Sequence, residues 1–351
     1  MSRFLQEKYQ GLDVYVPGEQ PQDRSYIKLN TNESPFPPPP EVVVAMGEAG
    51  ADAHLYCDPL CAALRDTAAA LYGLKRENVL AFNGSDEALS FAFQAWGGSG
   101  VAYPDISYGF YPVFADLHRL ETREVPLQAD FRLAPEDYFD LDRLIVIANP
   151  NAPTGLYLSP AEIRQILDRN PGHPVVIDEA YIAFGGESCL PLVEEYDNLL
   201  VVRTFSKSHG LAGARLGLAF GSAGLIEDLD RLRNCLNPYN VSRMAQAGGK
   251  AALELEPLYT QRCRSIARIR DDTAAALRDM GCTVTDSLAN FLFVRPGKLG
   301  GEALYQGLRE RGVLVRWFSR PALRDWVRVS VGSQDQMTAF LKAAKEVLGH
   351  A

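Results

Sequence analysis

What this chain has little of narrows its function first. It has no run of about 18 apolar residues, the length a helix needs to span a bilayer. Its opening stretch "MSRFLQEKYQGLDVYVPG" has no apolar core of the kind a secretory signal carries. The expectation is a cytoplasmic protein that works away from membranes. Positive charge is in deficit: 35 Lys and Arg against 44 Asp and Glu leave a formal charge of −9, with no outstanding Lys/Arg block. Such a balance offers no footprint for nucleic acid or an anionic membrane, so any anionic ligand must be held by a local site. Cysteine is sparse, six residues in all, and only Cys57 and Cys61 lie close together. No second Cys/His pair completes a zinc pattern, so no metal site is expected, and the thiols read as reduced and mostly buried.

What is present is ordinary globular material: 351 residues, 47% hydrophobic and 23% charged, which favours neither disorder nor a fibrous architecture. The length exceeds the usual limit of a single core. An arm over residues 1–40 ends in the proline cluster "SPFPPPP", where fixed φ angles and missing N–H groups oppose regular structure. Apolar runs at "NVLAF", "GVAYP", "LIVIANP", "PVVIDEAY", "NLLVVRTF" and "RLGLAFG" then alternate with helical patterns. That alternation predicts an α/β fold, a mostly parallel sheet flanked by helices, over residues 41–250. One helix has an explicit start: Ser159 as N-cap, Pro160 at its first position and Glu162 completing a capping box. A helical stripe through Ile266, Ile269, Thr273, Leu277 and Met280 bridges to a small C-terminal α+β domain, with the second unit placed at 251–351.

The chemistry gathers at strand ends. "LLVVRTF" reads as a buried strand with Ser206 and Lys207 at its carboxyl end, where open α/β sheets bind ligands. A lysine there is nucleophilic only if burial or neighbouring cations depress its pKa, and Arg215 is a candidate neighbour. Read alone, a lysine in such a Gly/Ser-rich loop is more often a solvated surface residue. Asp178 ends a second strand, where an acid needs a partner, such as a protonated ring nitrogen, or else serves as a helix cap. Tyr181 follows three residues later and can present a phenol to the same ring. In "AFNGSDEALSFAFQAW", Gly84 turns the chain and a helix begins near Ser85 and Asp86. Its free N–H groups suit a phosphate, although Ser85 is also a good ordinary N-cap. A lysine, an acid with a phenol, and a phosphate cradle with an arginine meet the demands of pyridoxal 5'-phosphate.

With those residues in view, the sequence resembles the fold type I pyridoxal-phosphate enzymes of the class I/II aminotransferase family, and within it the histidinol-phosphate aminotransferases. The resemblance runs through "LNTNESP", "NPNAPTG", "VVIDEAYIAF", "RTFSKSHGLAGARLG" and "WVRVSVG". It implies that Lys207 carries the cofactor and shuttles protons, that Asp178 partners the pyridine nitrogen and that Tyr181 donates to the ring oxygen O3'. It assigns the cofactor phosphate to Ser206, Arg215, Gly84, Ser85 and Asp86, with Tyr56 reaching it from the second subunit of a homodimer. Tyr108 would stack on the ring. Tyr15, Asn32, Arg316 and Arg328 would hold the phosphate or carboxylate of donor and acceptor. The implied reaction exchanges an amino group between L-histidinol phosphate and 2-oxoglutarate.

Two departures stand out. The family has an asparagine directly before "PTG", where this chain has Ala152, so Asn151 becomes the expected source of an amide for O3'. The usual tyrosine-proline-aspartate near the subunit boundary is "YCDP" here, around Tyr56. The alternatives on the same scaffold are a threonine-phosphate decarboxylase and an aromatic amino acid aminotransferase. The decarboxylases tend to carry an asparagine-glycine-glutamate turn where this chain has "NGSDE", which favours the transaminase.

Overall fold

The computed structural model describes residues 2–349. Along the chain, the arm contributes β1 (Ile27–Lys28), followed by α1 (Pro40–Gly50), α2 (Ala62–Tyr72), β2 (Val79–Phe82) and α3 (Ser85–Trp96). Next come β3 (Val101–Pro104), α4 (Phe110–His118), β4 (Thr122–Val125), β5 (Leu144–Ala148), α5 (Pro160–Arg169) and β6 (Val175–Asp178). The large sheet finishes with β7 (Leu199–Thr204) and β8 (Gly217–Gly221), and α6 (Ala223–Leu236) and α7 (Arg243–Glu254) follow. The remainder is α8 (Glu256–Asp279), β9 (Thr283–Val284), β10 (Phe291–Arg295), α9 (Gly301–Glu310), β11 (Val313–Leu314), β12 (Arg316–Trp317), β13 (Val327–Ser330) and α10 (Gln334–Val347).

A seven-stranded sheet in the order β2-β8-β7-β6-β5-β3-β4 organises the larger part. Its pairings are parallel except those of β8, which lies antiparallel between β2 and β7. Phe82 and Thr204, at the carboxyl ends of β2 and β7, therefore both pair with Gly217 at the start of β8. Residues just before β8 are thus delivered to the same edge as those just after β2, β6 and β7, which is the edge where the site forms.

Both faces of this sheet are covered, which is why its strands read as continuous apolar runs. Alternate residues, such as Val175 and Ile177 on β6 and Leu199 and Val201 on β7, enter one core with Leu64, Ile163 and Ala245. Their neighbours Val176, Leu200 and Val202 enter the opposite core with Leu89, Phe93 and Leu229. Each fully buried aliphatic side chain of this kind contributes about 1.5–3 kcal/mol. The expected start of α5 is present: Ser159 accepts from the Glu162 N–H, and the Glu162 carboxylate accepts from the Ser159 N–H at 2.7 Å.

The third core belongs to the antiparallel sheet β12-β13-β10-β9 with α9, α10 and the later part of α8. Helix α8 links the units, Tyr259 packing in the first core and Cys263, Ile266 and Leu277 in the third. The proline cluster does not wholly oppose regular structure, since Pro40 opens α1, where its missing N–H is not needed. The arm also joins the C-terminal unit, because β1 pairs in parallel with β11. Among the described residues no helix is long and apolar enough to cross a membrane.

Candidate active site

The expected phosphate cradle lies at the turn between β2 and α3. Gly84 occupies the cap position with φ +82°, and a Cβ there would stand 2.6 Å from Arg215 Nη2, so glycine is required both by conformation and by space. The helix begins at Ser85, and the alternative reading of Ser85 as its N-cap does not hold, since no side chain caps it. The first-turn N–H groups of α3 are thereby left for a ligand. Arg215, itself at φ 52°, reaches the turn from the start of β8. Its Nη1 donates to Ser206 Oγ at 3.3 Å and to the Ala212 carbonyl at 3.2 Å, and its Nη2 donates to Asp86 Oδ2 at 3.4 Å. Asp86 also accepts from the Tyr108 hydroxyl at 2.8 Å.

Lys207 follows β7 and points back over the sheet edge, where its Nζ donates to the Thr31 carbonyl at 3.1 Å. Burial, and next the Arg328 guanidinium, lower its pKa to about 8. Arg215, the neighbour expected from sequence, contributes less than Arg328 does. The result is an amine with a substantial neutral fraction near physiological pH.

Asp178 ends β6 and is buried. Its carboxylate accepts from the Tyr111 hydroxyl at 3.1 Å and from the Ala180 N–H at 3.1 Å. Burial pushes its pKa up to about 7, against the lowering effect of those two donors. Tyr181 is also buried, and its hydroxyl accepts from Asn32 Nδ2 at 3.0 Å. A cavity of about 200 Å³ is lined by Lys207, Asp178, Tyr181, Tyr108, Ala152 and Asn32. Ser85, Ser206 and Arg215 line it too, as do Tyr15, Arg316 and Arg328.

The two arginines of the small unit form no ion pair among the described residues. Arg316 donates to the carbonyls of Val16 and Pro17, at 3.1 and 3.2 Å. Arg328 donates from Nη2 to the Asn30 carbonyl at 3.0 Å, while its Nε is buried without a partner. Its guanidinium carbon lies 5.4 Å from the centre of the Phe291 ring. Tyr15 stacks on Phe110 with ring centres 4.2 Å apart. A poorly hydrated cation with donors to spare is a receptor for an anion.

Two expected residues are not brought to this cavity within the chain. Tyr56 is 78% exposed and stacks on Tyr239, with centroids 4.4 Å apart. Asn151 does not supply an amide to the cavity, contrary to expectation. Its Nδ2 donates to the Ile106 carbonyl at 2.9 Å and to Thr154 Oγ1 at 3.1 Å, while its Oδ1 accepts from Ser107 at 2.7 Å. It braces the loop behind the wall that Ala152 faces. Sequence reasoning missed Tyr111, whose spacing from Tyr108 looks like any aromatic core pair, and the Thr31 carbonyl, which has no side-chain signal.

Residues 24–343 match the family described as aminotransferase class I and II. A histidinol-phosphate aminotransferase of Marinomonas sp. (strain MWYL1) is 44% identical, covering 98% of this chain and 99% of its own length. Another, from Clostridium acetobutylicum, is 42% identical over 99% of this chain and 100% of its own. Among solved structures, histidinol-phosphate aminotransferase from Sinorhizobium meliloti in complex with pyridoxal-5'-phosphate superposes with a TM-score of 0.88 at 25% identity, covering 99% of this chain and 98% of that one. L-threonine-O-3-phosphate decarboxylase from Porphyromonas gingivalis shares the fold, with a TM-score of 0.81 at 23% identity over 92% of this chain and 99% of that one. A sheet edge carrying Lys207, Asp178 and Arg215 and likeness over nearly the whole chain lead to one conclusion: the chain belongs to the class I and II aminotransferase family.

Proposed function

We propose that this protein is a pyridoxal-phosphate-dependent aminotransferase that moves the amino group of L-histidinol phosphate to 2-oxoglutarate, yielding imidazole acetol phosphate and L-glutamate. The observation that carries the reading is the pairing, in one cavity, of a lysine depressed to about 8 with a buried carboxylate raised to about 7 that has no cationic partner among the described residues. A carboxylate so placed fits a protonated ring nitrogen, and the capless start of α3 with Ser206 and Arg215 fits a phosphate. When bound, the cofactor supplies an electron-withdrawing ring that accepts charge from the carbon bearing the amino group.

The chain's own groups do the rest. Asp178 keeps a proton on the ring nitrogen. Lys207 Nζ holds the cofactor and moves a proton to and from the reacting carbon. Tyr181 would offer a hydroxyl to the ring oxygen, and Tyr108, which lines the same cavity, would hold the ring. Arg316 and Arg328 bind the phosphate of the donor and the carboxylate of the acceptor, because a guanidinium accepts either anion.

The assembly we infer is a homodimer. Exposed Leu55, Tyr56, Leu60, Leu236 and Tyr239 support it, for a single chain leaves these apolar side chains in water. In that dimer Tyr56 extends the phosphate site of the second copy. The ligands are small molecules rather than nucleic acid or membrane, and the proposed compartment is the cytoplasm.

The test is to supply the protein with pyridoxal phosphate, 2-oxoglutarate and L-histidinol phosphate and to follow glutamate. Glutamate formation that depends on L-histidinol phosphate is expected. Its absence, with carbon dioxide released from L-threonine phosphate instead, would overturn the reading.

A further inference from the structure

Ala152 brings no polar group to the cavity wall, and the amide of Asn151 is spent on Ile106, Ser107 and Thr154. A different amide stands over Tyr181. Asn32 is 1% exposed and sits at φ 55°, a conformation that asparagine tolerates at some cost and that marks a constrained position. Its backbone N–H donates to Ser330 Oγ at 2.8 Å, and Ser330 Oγ lies 2.9 Å from Asn32 Oδ1. The serine oxygen accepts the first bond, so its single proton goes into the second.

That arrangement orients the amide. With Oδ1 turned to Ser330, Nδ2 is left to donate to Tyr181 Oη at 3.0 Å. The Asn32 carbonyl is itself held by Asn290 Nδ2 at 3.0 Å, which fixes the backbone beneath the side chain. The Tyr181 oxygen is thus occupied as an acceptor by the amide. Its own proton is free to point into the cavity.

We propose that Asn32 is a positioning residue, which holds the Tyr181 hydroxyl as a donor toward the cofactor ring oxygen and so does from β13's side what Ala152 cannot do. The inference rests on the pyridoxal-phosphate reading above. It moves Asn32 from a substrate contact to a group acting through Tyr181. The charged and titratable groups that face Tyr181 are Arg328, Asp178, Asp86, Tyr108 and Tyr111, with Lys207 Nζ 5.9 Å from its ring centre. All six remain in the variants below, so a change in titration reports the amide.

The experiment loads the protein with pyridoxal phosphate, without substrate, and titrates the visible absorption of the lysine-bound cofactor with pH. Asn32→Gly removes the side chain and suits the positive φ, so folding should survive. Its midpoint should rise by about half to one pH unit, less than the full worth of a hydrogen bond to a charged group, because the effect is relayed through a phenol. Ser330→Ala, which frees the amide to turn, should shift it the same way by less. In a Tyr181→Phe background, Asn32→Gly should add nothing. An intact band whose midpoint ignores both single substitutions overturns this inference alone, and so does an Asn32→Gly shift of undiminished size in the Tyr181→Phe background. A wild-type protein that develops no visible band overturns the cofactor reading and this inference with it.

Discussion

The Tyr111 hydroxyl donates to Asp178 Oδ2 at 3.1 Å at the end of β6, and among the described residues no cation pairs with that carboxylate. A buried acid in this state costs stability when ionised. Its folded pKa of about 7 lies above the ordinary 3.8, so its favourable contribution is complete below about pH 4 and is lost as the pH rises through about 7. Asp178→Asn in the cofactor-free protein should therefore melt higher than wild type at pH 8, by a margin that narrows at pH 5. Thermal melts at the two pH values check this. The same substitution should cut turnover by a few hundredfold or more, since losing one side of a charged pair in a dry site costs about 3 to 5 kcal/mol. Wild-type turnover in the variant would reduce Asp178 to a turn residue.

Arg328 lowers the pKa of Lys207, second only to burial. The rate at which cofactor-free protein captures pyridoxal phosphate should climb with pH and level off above about 8, as the neutral amine becomes available. Arg328→Ala removes a like charge, so the rise should move to higher pH. Stopped-flow absorbance reads both curves, and superimposable profiles would remove Arg328 from the account.

Arg328 also has a buried Nε without a partner. If its guanidinium meets a phosphate in one half-reaction and a carboxylate in the other, Arg328→Ala should weaken both. The loss of a hydrogen bond to a charged group is worth about 1.5 to 3 kcal/mol, or roughly ten- to a hundredfold in kcat/KM for each half-reaction. Single-turnover measurements with donor and with acceptor separate the two, and a defect confined to the donor would mean two distinct anion sites.

Asn151 is braced on three sides, by Ile106, Ser107 and Thr154. Asn151→Ala should destabilise the protein by about 1 to 3 kcal/mol, the cost of unsatisfied buried groups, while leaving the pH midpoint of the bound cofactor unchanged. Denaturant unfolding and an absorbance titration test the two halves. A raised midpoint with normal stability would return Asn151 to the cavity.

How far the sequence alone reached follows from the range of each signal. Lys207, Asp178 and Gly84 were legible because each ends or follows an apolar run, and a parallel sheet brings such ends to one edge. The reversal of β8 was not, since "RLGLAFG" has the same apolar character whichever way it runs. Strand β4 escaped because three of its four residues are exposed and form no apolar run. Asn151 was misplaced because adjacency to Ala152 says nothing of which way a side chain leaves the loop. The link from Asn32 to Ser330 spans 298 residues, with no local pattern to announce it.

The central claim is that Lys207 Nζ, 3.1 Å from the Thr31 carbonyl, is the group that takes the cofactor. Borohydride reduction of the loaded protein, followed by peptide mapping, tests it most directly. The account predicts a single pyridoxyl label on Lys207 and none in Lys207→Ala; a label on Lys250 or Lys298 in the wild-type protein would contradict it.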